Sequence, residues 1–270
     1  MKFTSFGGEI LIQPLYRFMI ELTNGRWTSG MLKKFARSKV SRYFVPSFAR
    51  VYQINESEME KSLAEYSTLH DFFTRKLKEG ARNPDQNPES IISPVDAVIE
   101  DLGVIEPGHV ITVKGKEYSI REMLGNEKKL EKYSGGLYMI FYLSPSHYHR
   151  IHSPVSGTVI DQWTLGKKSY PVNKYGLKYG KNALSGNYRT TTEVKHSGGG
   201  LVSIVKVGAM FVNSIEVIHE GEELVKGNEM AYFSFGSTVV LLFEKDSFQP
   251  LSTIRVPFDV KVGEKIGTML

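Results

Sequence analysis

From Ile91 to the C-terminus, short apolar runs rich in β-branched and aromatic residues alternate with glycine-marked turns. That rhythm calls for a mostly β domain. Two runs anchor it. Gly136 to Leu143 is apolar at nearly every position after the glycine, as expected of a strand covered on both faces. Met230 to Phe243 reads as a second extended stretch, with Gly236-Ser237-Thr238 in its middle. Gly-Ser ordinarily marks a turn, and glycine inside a strand is costly unless the backbone needs its freedom. No polar cluster surrounds this pair, and the apolar run resumes within two residues. A bulge or tight strand bend is the simplest reading.

The pair also allows chemistry. A serine hydroxyl beside an unhindered glycine carbonyl can attack it where the local geometry is strained, replacing the peptide bond with an ester. Elimination then leaves dehydroalanine on the downstream piece, and hydrolysis converts that residue to a pyruvoyl cap with loss of ammonia.

The N-terminal third differs in character. Residues 9–22 carry an approximate helical stripe (Ile10, Leu11, Leu15, Phe18, Met19, Leu22) broken by Pro14. Between residues 26 and 50 lie Arg26, Lys33, Lys34, Arg37, Lys39, Arg42 and Arg50, with no acidic residue and with Trp27, Phe35, Tyr43, Phe44 and Phe48 interleaved. Such a segment suits an anionic membrane surface; a solvated basic face on a helical subdomain fits equally. The formal charge of +5 over 270 residues agrees with an anionic partner. No nucleic-acid motif is present, so nucleic acid is not expected as that partner. No apolar run is long enough to span a bilayer and no secretory signal is seen, so membrane contact is expected to be peripheral. The chain has no cysteine, which excludes disulfides, thiolate nucleophiles and cysteine-ligated zinc. Asn55-Glu56-Ser57-Glu58 looks like a helix start, Tyr66 to Leu77 reads as a helix with an apolar face, and the polar, proline-rich Gly80 to Pro88 reads as a linker. The division expected is a helical region over 1–82 and a mostly antiparallel β domain over 83–270, an α+β fold.

Three of the seven histidines, His147, His149 and His152, fall within six residues after the first strong strand. In extended chain His147 and His149 share a face and His152 points oppositely, though a turn can converge them. Imidazoles cluster for metals, for acid–base catalysis, or for plain structural hydrogen bonding. Spacing alone does not choose. Asp96, in Ser93-Pro94-Val95-Asp96, sits at the start of a strand, where aspartate is usually a turn former. Glu220 to Gly227 and Val260 to Gly267 look like two similar turns before strands.

Taken together, these segments resemble the phosphatidylserine decarboxylases, pyruvoyl enzymes that cleave themselves. The match is carried by Phe72-Phe73-Thr74-Arg75, Ser93-Pro94-Val95-Asp96, Leu143 to Pro154 with its Tyr148-His149-Arg150 and His152, Val207-Gly208-Ala209 to Ile215, and Lys226-Gly227-Asn228-Glu229-Met230 leading into Phe233 to Thr238. The chain departs from the family's pattern at Ala97, where glycine is usual, at His147, where aspartate is usual, and at Tyr188, where glutamate is usual. The resemblance implies that His152, oriented by Asp96, deprotonates Ser237 for attack on the Gly236 carbonyl. Cleavage between 236 and 237 would leave residue 237 as the pyruvoyl cofactor. That ketone would form a Schiff base with phosphatidylserine in an anionic membrane surface, and His149 or His152 would protonate the carbanion to give phosphatidylethanolamine. His149 is the expected proton donor, His147 is expected to be non-catalytic, and no metal is expected. The resemblance further implies two chains, 1–236 and 237–270, a peripheral place on the cytoplasmic side of the cell membrane, and leaves room for a homodimer. Two other readings stand beside this one. The first is a metal-dependent hydrolase built on His147, His149 and His152, and the second is a non-enzymatic β binding module tethered by the basic N-terminal segment.

Overall fold

A computed structural model describes residues 26–106, 108, 110–113, 116–167, 170, 172, 183–209, 215–234 and 237–270. The apolar stripe of residues 9–22 lies outside them.

Strand order follows from where the apolar runs lie. Eight strands form one antiparallel sheet in the order β11-β7-β8-β9-β13-β5-β2-β15. These are β2 (Ala97–Val104), β5 (Leu137–Leu143), β7 (Gly157–Leu165), β8 (Arg189–His196), β9 (Leu201–Gly208), β11 (Glu223–Leu224), β13 (Ser237–Phe243) and β15 (Phe258–Val260). The most apolar strands are central: β13 pairs with β5 on one side, Ser237 opposite Leu143, and with β9 on the other, Ser237 opposite Gly208. Alternation sends Val239, Leu241 and Phe243 into one core and Val240 and Leu242 into a second on the opposite face. That double burial explains why the runs are continuous rather than alternating.

Two small sheets cover the first face. One has β16 (Lys265–Met269) between β1 (Ser90–Ile92) and β14 (Phe248–Pro250); the other has β12 (Glu229–Phe233) between β10 (Ile215–Val217) and β6 (Arg150–His152). The second face is covered by a hairpin of β3 (Val110–Val113) and β4 (Lys116–Ser119) and by the short helices Ile120–Leu124, Glu127–Glu131 and Ala183–Gly186. The expected α+β class with mostly antiparallel strands is what the chain adopts.

The expected turns are present. Gly227 and Gly263 adopt φ of +85° and +89°, open to glycine at little cost. Both pack against Pro84, whose Cγ lies 2.5 Å from a Cβ built on Gly227. The proline-rich linker is therefore clamped between the two turns rather than free.

The N-terminal segments are helical but shorter than their pattern suggests. Helix Arg26–Ala36, a 3-10 turn at Lys39–Phe44 and helix Val45–Val51 are followed by 3-10 turns at Glu56–Glu58 and Leu63–Glu65. The helix expected from Tyr66 to Leu77 is only Leu69–Phe73. Thr68 starts it by accepting the Asp71 N–H at 3.0 Å. It ends at Thr74, whose hydroxyl turns back to the His70 carbonyl at 2.9 Å. Val45, Ala49, Ile54, Met59, Tyr66, Leu69 and Phe72 form a separate core for this region.

Candidate active site

Two crossings between sheets lie side by side. β5 leaves the large sheet at Leu143 and the chain re-enters a small sheet as β6 at Arg150. In the opposite sense, β12 leaves that small sheet at Phe233 and β13 begins the large one at Ser237. The single extended stretch expected from Met230 to Phe243 is therefore two strands of different sheets. In sequence, the Gly-Ser pair spans the end of the segment between these strands, and Ser237 opens β13. Gly236 lies outside the described residues; the Ser237 backbone is the first of β13. The crossings are tied by the Phe233 N–H, which donates to the His149 carbonyl at 3.0 Å.

The histidine crossing is held from outside by Arg75. This almost fully buried guanidinium donates from Nη2 to the carbonyls of Ser146 and His147 at 2.9 and 3.0 Å. Its Nε and Nη1 have no partner among the described residues. A cleft of about 330 Å³ opens beside the crossing, lined by Tyr66, Asp71, Thr74, Arg75, Lys76 and Arg150 among others.

The three histidines have three different situations. His147 Nδ1 accepts the Ser144 N–H at 3.0 Å, closing the turn that starts the crossing. His149 is fully buried against the Phe73 ring, 3.9 Å between centroids. Its Nδ1 lies 2.8 Å from the His147 carbonyl. A carbonyl only accepts, so Nδ1 carries the hydrogen and Nε2 is a bare lone pair. That Nε2 is buried and unpartnered among the described residues. Burial, with Arg75 nearby, drives the His149 pKa well below the ordinary imidazole value. His152 Nδ1 donates to the Gly227 carbonyl at 2.6 Å, and Nε2 faces the Tyr148 hydroxyl at 3.1 Å. Burial lowers its pKa, opposed by the Gly227 carbonyl, Glu229 and Asp96. Among the described residues no group of three or more His, Asp or Glu side chains gathers as a metal site would require. Each histidine turns its Nδ1 to a different backbone group, so the three rings do not converge on a common centre, which disfavours the hydrolase reading.

Asp96 has a partner that the sequence did not disclose. Arg82, from the linker, grips both of its oxygens, through Nε at 2.8 Å and Nη2, and also reaches Glu58 at 2.8 Å. The Val262 N–H donates to Asp96 Oδ1 at 2.9 Å. Burial opposes the Arg82 charge, but hydrogen bonds to Asp96 and Glu58 outweigh it and raise its pKa. The structure does not join Asp96 to His152 by a hydrogen bond; what reaches the imidazole is the carboxylate's charge.

Other contacts were invisible to spacing. His70 Nε2 lies 3.4 Å from Ser234 Oγ, placing the Leu69–Phe73 helix against the residue three before Ser237. Buried Asn187 donates to the Gly208 carbonyl at 2.8 Å, steadying the residue paired with Ser237. Tyr188, at the departure from the family pattern, packs its side chain against the core. Arg75, Tyr148, Arg150 and Glu229 lay within the segments that carry the resemblance, but nothing in the sequence gave them a partner.

The phosphatidylserine decarboxylase family model matches residues 69–268. Proteins named phosphatidylserine decarboxylase proenzyme from Bacillus thuringiensis (strain Al Hakam), Bacillus cereus (strain 03BB102) and Bacillus anthracis (strain CDC 684 / NRRL 3495) are each 59% identical over 258 residues. These alignments cover 96% of this chain and 98% of each relative.

Proposed function

This chain belongs to the phosphatidylserine decarboxylase family, and from that premise we propose how it works. It is a carboxy-lyase that converts phosphatidylserine to phosphatidylethanolamine and carbon dioxide, and it is made as a proenzyme. In maturation, Ser237 Oγ attacks the Gly236 carbonyl carbon. The bond from that carbon to the Ser237 nitrogen breaks, and the hydroxyl proton reaches the freed nitrogen by way of His152. Elimination across the Cα–Cβ bond of residue 237 releases the Gly236 carboxylate, leaving dehydroalanine. Water converts this to a pyruvoyl group, with loss of ammonia. Asp96 assists by its charge, which favours the imidazolium from a distance.

The observation that carries this reading is the junction itself. The Ser237 backbone begins β13 where the chain changes sheets, opposite side-chain-free Gly208, with the buried bare Nε2 of His149 on the neighbouring crossing. A pyruvoyl group at this position supplies an electron sink for the bond that releases carbon dioxide. His149 enters neutral, so it first collects a proton at Nε2 and then delivers it to the carbon that lost carbon dioxide. A positioned proton donor contributes roughly 100- to 10,000-fold. In this reading residues 1–82 are the membrane-surface region, on the cytoplasmic side, with Arg75 and Arg82 reaching back to hold the site, and residues 83–270 carry the reacting groups.

The test pairs intact mass with carbon dioxide release. The parent should appear as two chains, the smaller without a free N-terminal amine, and Ser237→Ala should stay whole and inactive. His152→Ala should fail to cleave. His149→Ala should cleave but decarboxylate at least 100-fold more slowly, and His147→Ala should do both near normally. A cleaved Ser237→Ala protein refutes self-scission, and normal cleavage in His152→Ala refutes the base assignment.

A further inference from the structure

The hydrogens around His152 do not add up while its ring is neutral. Nδ1 carries one, given to the Gly227 carbonyl at 2.6 Å. Nε2 is then an acceptor, facing Tyr148 Oη at 3.1 Å. The same hydroxyl lies 3.1 Å from Glu229 Oε1, a carboxylate oxygen that also only accepts. Tyr148 has one hydrogen for two acceptors. When Nε2 gains a proton, the count closes: Nε2–H donates to Tyr148 Oη, and Tyr148 keeps its own hydrogen on Glu229. Glu229 is held for this task by Arg150, whose Nη1 donates to Oε2 at 2.6 Å. Tyr148 is buried, so the middle of the chain of bonds is shielded from solvent.

We infer that Glu229, acting through the Tyr148 hydroxyl, is a second carboxylate that stabilises protonated His152 beside Asp96, and that Tyr148 and Glu229 are positioning residues for the maturation step. Asp96 acts on the same ring by charge alone, because Arg82 and the Val262 N–H take its hydrogen bonds. The charged groups facing His152 come from four directions. Glu229 lies on β12, Arg150 on the same strand as His152, Asp96 before β2, and Arg82 in the linker behind Asp96. Of these, Glu229 is the one that the Tyr148 hydroxyl links to the ring, by a pair of hydrogen bonds that is complete once Nε2 is protonated. Glu229 is the register partner of His152 in the β6–β12 pairing and Tyr148 lies two residues before β6, so the pairing brings together residues 81 apart in the chain.

The inference rests on the reading of His152 as the base, and the experiment separates the two. The full-length Ser237→Ala protein is labelled on histidine, and the His152 ring is titrated by NMR with no turnover involved. Tyr148→Phe keeps the packing and the Glu229–Arg150 pair but removes the link. It should lower the His152 midpoint by about one pH unit, the scale of a hydrogen bond to a charged group. Glu229→Gln should lower it in the same direction, which provides a second route should the first variant fold poorly. Asp96→Asn should move it less than either. In the cleavable protein, Tyr148→Phe should slow maturation at least 10-fold at its alkaline plateau while shifting the pH midpoint downward. A purely structural tyrosine would not move that midpoint. An unchanged His152 midpoint in both variants overturns the relay. A shifted midpoint together with normal cleavage in His152→Ala would leave the relay standing and overturn the base assignment instead.

Discussion

Lys206 shows what one side chain costs this fold. It sits on β9 opposite Thr190 and Val239, fully buried, with Nζ donating to Thr192 Oγ1 at 2.6 Å. Burial lowers its pKa to about 7, against about 10.4 in an unfolded chain. Between those values the unfolded chain holds more protons than the folded one, so stability rises with pH across about pH 7 to 10. Lys206→Met should remove that slope and raise the melting temperature at pH 7. The gain should be several degrees, at roughly 2–4 °C per kcal/mol for a chain somewhat shorter than this one. Thr192 keeps a partner in Gln162 at 3.0 Å, so the substitution strands no buried hydroxyl. Calorimetry at pH 7 and pH 9 decides it; a parent equally stable at both, or a less stable variant, contradicts the argument.

At the scale of elements, the helices between Arg26 and Val51 expose what a buried helix would hide. Met31, Val40, Tyr43 and Val51 are each more than half exposed, beside Lys34, Lys39 and Arg42. Among the described residues no helix is long and apolar enough to cross a membrane. Each basic residue near an anionic surface contributes about 1 kcal/mol. Lys34→Glu with Lys39→Glu should therefore weaken sedimentation with phosphatidylserine-containing vesicles at least 10-fold, and raising salt should weaken the parent likewise as screening shortens. Binding indifferent to both would make the basic region purely structural.

For the molecule as a whole, cleavage at 236 would not divide it in space. Residues 237–270 supply β13 to the middle of the large sheet, β15 to its edge, and β16 to the middle of a small sheet. Val239, Val240, Leu241, Leu242 and Phe243 are fully buried; at about 1.5–3 kcal/mol each, an upper estimate, they hold the fragment by roughly 10 kcal/mol. The two chains should co-elute in native gel filtration and part only on denaturation. A small chain lost under native conditions would mean that β13 is not seated between β5 and β9 after processing.

Residue order alone determined the β character of residues 91–270, the doubly buried run at Leu137–Leu143, the turns at Gly227 and Gly263, and the Gly-Ser and histidine segments. These are local properties, since burial period and backbone freedom are written into neighbouring residues. The tertiary structure decided what those segments touch. It broke Met230–Phe243 into strands of two sheets and stopped the Leu69 helix at Phe73. It gave Asp96 to Arg82, and set His152 between the Gly227 carbonyl and Tyr148. A buried polar group takes whichever partner long-range packing delivers, and His152 and Gly227 are 75 residues apart. No spacing rule within a strand or helix reaches that far.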